Sequence, residues 1–184
     1  YRQLGNLPAA EASLRREVEI NPDCADAAVN LGVGLQEAHR VGEAITCYRR
    51  AIHLNPCHPI LRWNFAIASL LAGDYETGWQ EYEWRWQVKH KPKPKFRQAE
   101  WDGSDLEGRT ILLYTEQGFG DTLMFLRYAP RVAQRHGRVV LECPAPLKRL
   151  LSAMPELSQI VASGEPLPEF DVQAPLMSLP RIFG

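Results

Sequence analysis

The residues best suited to chemistry stand in one short run, Glu116-Gln117-Gly118-Phe119-Gly120-Asp121, where two carboxylates flank two glycines. Glycines let a backbone turn sharply and bring its amides close to a ligand. A carboxylate at the mouth of a helix has two uses. As an N-cap, Asp121 needs only to accept a hydrogen bond; as a general base it must accept a proton. The positive end of a helix stabilises the charged carboxylate and weakens the base, whereas burial works the other way. Both roles stay open for Asp121. Glu116 is the second candidate base, and Gln117, Gly118 and Gly120 are candidates for a substrate-binding loop. A dinucleotide fingerprint needs a third glycine, G-x-G-x-x-G, and Leu123 stands in its place, which argues against close approach of a pyrophosphate. Glu142 nonetheless occupies the position of a ribose-binding acid, so a nicotinamide-type fold stays open as well.

Elsewhere the reactive residue types are scattered. The four cysteines, Cys24, Cys47, Cys57 and Cys143, contain no C-x-x-C pair, so neither a zinc site nor a redox pair is expected. No Asp-x-Asp pair occurs, which fits chemistry without a metal, and no cofactor is expected. His39, His53, His58, His90 and His136 fall in repeat, linker or helix-end contexts and read as structural or solvated. A net charge of -1 provides no overall basic field for nucleic acid or anionic membrane. The longest apolar run, Phe65 to Ala72, is far short of the roughly 20 residues that a membrane span needs. No charged-then-apolar leader opens the chain, and a soluble, cytoplasmic protein is expected.

The glycine run must be positioned by elements on either side. Thr110-Ile111-Leu112-Leu113-Tyr114 reads as a strand buried on both faces. Phe125, Tyr128, Ala129, Val132 and Ala133 then repeat as one face of a helix, which Pro130 should kink or restart. A second strand is expected over Arg138 to Cys143. Pro146 opens a helix carrying Leu147, Leu150, Leu151 and Met154 on one face, and Gln159 to Ala162 and Asp171 to Ala174 supply two further strands. This order is that of a doubly wound parallel sheet, whose ligands bind beyond the carboxyl ends of the strands. The Glu116–Asp121 loop lies at such an end.

Upstream the period changes. A shift of 34 aligns Pro22 with Pro56, Leu31 with Phe65, Gly32 with Ala66, and Ala10 with Ala44 and Gly78. Ala44, Ile45, Tyr48, Ala51 and Ile52 keep one helix face, and Asn55-Pro56 stops that helix. Small residues where helices cross, with a proline ending each second helix, make this stretch resemble tetratricopeptide (TPR) repeats. In that register Tyr1 falls part-way along a first helix, so the chain is expected to be a fragment with repeats upstream. The third unit, Pro59 to about Trp86, departs from the pattern through Gly78, Trp79, Tyr82, Trp84 and Trp86. Asn30 and Asn64 share one position on the first helix of each hairpin. An amide both donates and accepts, which suits recognition of a peptide backbone; a solvated groove residue is the alternative. From Lys89 to Arg97 alternating prolines favour extended chain and mark the linker. All five tryptophans, Trp63, Trp79, Trp84, Trp86 and Trp101, lie between the third repeat and the next domain, so an aromatic interface is expected there.

Trp101-Asp102-Gly103, Leu106 to Tyr114, Glu116 to Asp121, Phe125-Leu126-Arg127-Tyr128 and Asp171 to Pro180 together resemble the glycosyltransferase-like domain fused to bacterial TPR proteins. That domain is similar in turn to the ADP-heptose:lipopolysaccharide heptosyltransferases of the GT-B fold. O-GlcNAc transferases also join TPRs to a GT-B domain, and asparagines at the position of Asn30 and Asn64 grip an extended peptide in them. The resemblance implies an α + α/β fold: TPR repeats over 1–88, a linker over 89–108, and over 109–184 the incomplete sheet of an N-terminal Rossmann-like half. It implies inverting, metal-independent sugar transfer, with Gly120-Asp121 matching the pair that carries the candidate base in heptosyltransferases. The acceptor would be a protein or peptide recruited by the repeats. The nucleotide-sugar donor would bind a C-terminal half absent here, leaving the fragment alone inactive. The alternative is a non-catalytic TPR interaction scaffold.

Overall fold

A computed structural model describes residues 7–88 and 93–184. The chain divides into two compact units, Tyr1–Lys93 and Pro94–Gly184, one made of helical hairpins and the other an α/β sheet. Together they make the α + α/β fold expected from the sequence.

The helical unit contains α1 (Leu7–Ile20), α2 (Ala25–Glu37), α3 (Val41–Leu54), α4 (Pro59–Leu71) and α5 (Tyr75–Glu81). The starts of α1, α3 and α5, and those of α2 and α4, fall 34 residues apart, so the repeat of the sequence is a repeat of structure. Tyr1, with its expected place in an earlier helix, lies outside the described residues. Within a hairpin, the reason for glycine at 32 is steric. A Cβ there would stand 2.2 Å from the ring of Tyr48, which is fully buried and donates its hydroxyl to Gln36 Oε1 at 2.6 Å. Burial pushes that hydroxyl's pKa well up. Around this contact Leu31, Leu35, Ala44, Ala51, Leu61 and Phe65 form the core. In the third hairpin Gly78 has the same kind of cause, since a Cβ would meet Leu70 Cδ2 at 2.6 Å.

Side chains cap the first turns of two of these helices. His58 caps α4, its Nδ1 accepting the Leu61 N–H at 3.2 Å, with Pro59 following in the first turn. Asp74 caps α5 through the Thr77 N–H at 3.2 Å. Beyond Glu81 the chain tightens into a 3-10 turn over Tyr82–Trp84 and ends in α6 (Arg85–Val88). Trp84 lies under the Arg62 guanidinium at 5.2 Å and Trp86 under that of Arg85 at 4.7 Å.

The α/β unit contains β1 (Ala99–Glu100), β2 (Thr110–Tyr114), α7 (Phe119–Phe125), α8 (Ala129–Ala133), β3 (Arg138–Cys143), α9 (Ala145–Leu151), β4 (Leu157–Ala162), β5 (Val172–Pro175) and α10 (Leu179–Phe183). All strand pairs are parallel, in the order β1-β5-β2-β3-β4. Strands β2 and β3 match their expected bounds residue for residue, as fully buried β-branched and leucine-rich runs should. On one face Phe125, Leu126, Ala129 and Val132 are buried along the α7–α8 stretch, and the restart expected at Pro130 takes the form of a 3-10 turn over Leu126–Tyr128 before α8. On the other face Phe96, Leu167 and Phe170 pack against Leu112, Val140 and Val161.

One expected boundary is corrected here. Residues 94–108 belong to the α/β unit and not to a linker. Strand β1 pairs with β5, and Leu106 is fully buried, filling the space where a Cβ on Gly137 would stand, 2.4 Å from its Cδ1. Trp101 is likewise buried inside this unit. Its N–H donates to the Gln173 carbonyl at 2.9 Å, its indole Nε1 to the Ser104 carbonyl at 2.9 Å, and its ring meets Phe183 edge-on at 5.7 Å. Trp63, Trp79, Trp84 and Trp86 belong to the helical unit and Trp101 to the core of the α/β unit.

Candidate functional site

Strands β2, β3 and β4 are added in sequence toward one edge, and the chain then crosses back to place β5 on the far side of β2. The direction of winding reverses between β2 and β5, and a sheet of this kind opens a crevice at the carboxyl ends of the two strands where it does so. Tyr114 and Pro175, the last residues of those strands, are register partners. The loops that follow them, from Thr115 and from Leu176, border a shallow depression lined by Thr115, Glu116, Gln117, Asp121, Thr122, Leu176 and Met177.

Asp121 stands within the first turn of α7, a correction to its expected place at the helix mouth. Gly118 is the N-cap, and Asp121, three residues on, accepts its N–H through Oδ2 at 3.1 Å. Thr122 closes the same turn, its hydroxyl and its N–H both donating to the Gly118 carbonyl at 3.1 Å. This is the reciprocal half of a capping box with a glycine in the cap, so the carboxylate satisfies an otherwise orphaned donor. Asp121 is half-buried, and its Oδ1 makes no hydrogen bond among the described residues.

The glycines also differ from expectation. Gly118 has φ -72 and ψ 174, a conformation open to any residue, and a Cβ on Gly120 would meet nothing within 4 Å. Neither is required by the backbone. Neither lines the depression, and Gly120 lies inside α7, which starts six residues before the helix expected from the apolar period.

Glu116 and Gln117 are half-buried on the same depression. Glu142 lies in β3, half-buried, in register with Tyr114, and its carbonyl accepts the Thr115 N–H at 3.2 Å. Asn30 is exposed on α2, and Asn64, half-buried on α4, donates through Nδ2 to the Ile60 carbonyl of its own helix at 3.0 Å. Sequence reasoning missed Thr115, Thr122, Leu176 and Met177. The last two follow a strand that was legible, but their role depends on β5 lying beside β2, which no local pattern announces. Among the described residues no group of three or more His, Cys, Asp or Glu could hold a metal ion.

No family model matches the chain. Over 77 residues it is 35% identical to Protein FlbA of Caulobacter vibrioides, a match covering 40% of this chain and 13% of FlbA. Among solved structures it is similar to a mutant O-GlcNAc transferase from Thermobaculum terrenum, at 20% sequence identity and a TM-score of 0.40, covering 86% of this chain and 32% of that one. The chain thus spans a minor part of the length of both, and a likeness at that TM-score carries no argument about the site.

Proposed function

We propose that this chain is part of a TPR-coupled glycosyltransferase of the GT-B kind, in which the repeats recruit a protein or peptide acceptor and the α/β unit presents it for sugar transfer. The observation that carries the reading is the convergence of Glu116, Gln117 and Asp121 on a depression at the winding reversal of a parallel sheet. The depression is too shallow to enclose a ligand by itself, whereas a complete ligand pocket takes roughly 300–1,000 Å³. Such a half-site fits a crevice completed by a second Rossmann-like half, outside the present residues, that binds the nucleotide sugar.

In that reaction the acceptor hydroxyl attacks the anomeric carbon, the bond from that carbon to the nucleotide's phosphate breaks, and the hydroxyl proton passes to a carboxylate. Asp121 is the base in this proposal. The Gly118 N–H orients its Oδ2, leaving Oδ1 to take the proton, and Glu116 is the alternative base on the same depression. No metal or organic cofactor enters the scheme. Asn30 and Asn64 hold the backbone of the acceptor peptide.

The test is a thermal-shift screen of the full-length protein against nucleotide sugars, because a ligand that binds only the native state raises the melting temperature. A rise with one donor class supports the reading. The capping bond of Asp121 favours a second reading, since it already gives the carboxylate a structural task. If no donor raises the melting temperature and a purified acceptor peptide still binds, the chain is a TPR interaction scaffold.

A further inference from the structure

Along the outward side of the α7–α8 stretch, large apolar and cationic side chains form one exposed strip. Phe119, Leu123 and Met124 are 48%, 46% and 49% exposed, and Arg127, Arg131 and Arg135 continue the strip at four-residue steps, all exposed. The inward side of the same stretch is committed to the core through Thr122, Phe125, Leu126, Ala129 and Val132, so the strip cannot turn inward. Leaving three large apolar side chains in water beside an arginine ladder is unfavourable unless something covers them.

The arginines are held in place by rings. Tyr128 and Phe183 stack at 5.9 Å. The Arg131 guanidinium sits 4.3 Å from the Phe183 centroid and donates to the Phe183 carbonyl at 3.3 Å. Arg127 lies 5.3 Å over Tyr128 and Arg135 5.9 Å over Phe183. No carboxylate pairs with any of the three among the described residues. The acid that feels Arg135, Asp105, is engaged by His136 at 2.7 Å. Ring contacts hold the guanidinium planes and leave the edges of Arg127 and Arg135 open to phosphate oxygens, which arginine binds in bidentate fashion.

We propose that this strip docks the α/β unit on an anionic phospholipid surface, with Arg127, Arg131 and Arg135 on headgroup phosphates and Phe119, Leu123 and Met124 in the acyl boundary. Charge complementarity selects the anionic headgroup, and shape selects a bilayer over a peptide. A peptide seeks a groove or a sheet edge, whereas the strip runs along the outward side of α7, the 3-10 turn and α8 and just beyond it, suited to a soft, flat surface. A net charge of -1 does not oppose this, because beyond about 10 Å charges are screened and contact is governed by the local patch. No helix among the described residues is long and apolar enough to cross a membrane, so the contact is peripheral. The inference is independent of any transferase activity.

Co-sedimentation of the full-length protein with vesicles tests it. Vesicles of equal parts phosphatidylcholine and phosphatidylglycerol should bind the protein, phosphatidylcholine alone should not, and high salt should release it. Arg127→Gln and Arg135→Gln should each weaken partitioning about fivefold. The pair Leu123→Gln and Met124→Gln should weaken it while leaving the salt dependence in place. All of these positions are exposed, and circular dichroism checks that the fold is kept. Failure to bind phosphatidylglycerol vesicles, or equal binding by the unfolded-checked variants and the parent, overturns the proposal. Retention of polyglutamate without vesicle binding also overturns it, and assigns the strip to an acidic protein segment.

Discussion

In the proposed reaction Asp121 carries two tasks on one carboxylate, and single-atom substitution separates them. Asparagine keeps an oxygen that can accept the Gly118 N–H, now at 3.1 Å, so Asp121→Asn should melt at nearly the parent temperature. Alanine loses the capping bond, at a cost on the order of 1 kcal/mol. In the full-length protein, Asp121→Asn should lower the rate of sugar transfer about a hundredfold to ten-thousandfold, because an amide cannot take the acceptor's proton. Retained turnover in the Asn variant, measured with the donor that the thermal screen identifies, would move the base to Glu116. A different acid is readable by pH. The His136 imidazole and the Glu107 N–H hold the Asp105 carboxyl below its ordinary range. Such a group stabilises the fold above its unfolded pKa and loses that contribution as pH falls through its lowered native value. The melting temperature of the parent should therefore fall more steeply below about pH 4 than that of Asp105→Asn.

Helix pairs depend on close contacts that one methyl group would break. A Cβ at position 32 would stand 2.2 Å from a ring that is fully buried and hydrogen-bonded to Gln36, so Tyr48 has little freedom to yield. Gly32→Ala should destabilise the helical unit by about 1–3 kcal/mol, the usual cost of overpacking, visible as a lower urea midpoint with the slope unchanged. Had Tyr48 room to rotate, the substitution would be nearly neutral. The peptide contacts proposed for Asn30 and Asn64 belong to this scale as well, through their shared repeat position on α2 and α4. Asn30→Ala with Asn64→Ala should weaken acceptor-peptide binding by the full-length protein while leaving helicity intact. Unchanged affinity, read by fluorescence anisotropy, would return both residues to the role of solvated surface.

For the whole molecule, the decisive feature is where the α/β unit begins. Residues 99–106 supply an edge strand, a buried tryptophan and a buried leucine, so they belong to the cooperative unit that melts with the sheet. Trp101→Ala should cost about 3–5 kcal/mol, as core truncation of a large aromatic does, and should lower the transition of the sheet. A linker residue would cost almost nothing when changed. The same boundary shows how far the local signals reach. Residues 89–92 of the expected linker lie outside the described residues, and the prolines between Lys89 and Arg97 carry no information on how soon the next core starts.

The repeat period, the proline and cap residues, and the two buried strands at 110–114 and 138–143 were determined by the sequence itself. Each is enforced within a few residues by sterics, by capping bonds or by a continuous apolar run. The α + α/β class follows from those signals. Strand order is different in kind, because placing β5 beside β2 is settled by which apolar faces can be buried together across 60 residues of chain, as in the pairing of Ile111 with Val172. The depression, and with it Leu176 and Met177, exists only once that order is set. Helix α7 shows the same limit at short range. Its first turn has Phe119 and Gly120 exposed, so the apolar period could not find it, and only the folded turn reveals Asp121 as the partner of the Gly118 amide. Trp101 stood beside four other tryptophans in sequence, but its burial was decided by the sheet edge and by Phe183, contacts that form when distant segments pack.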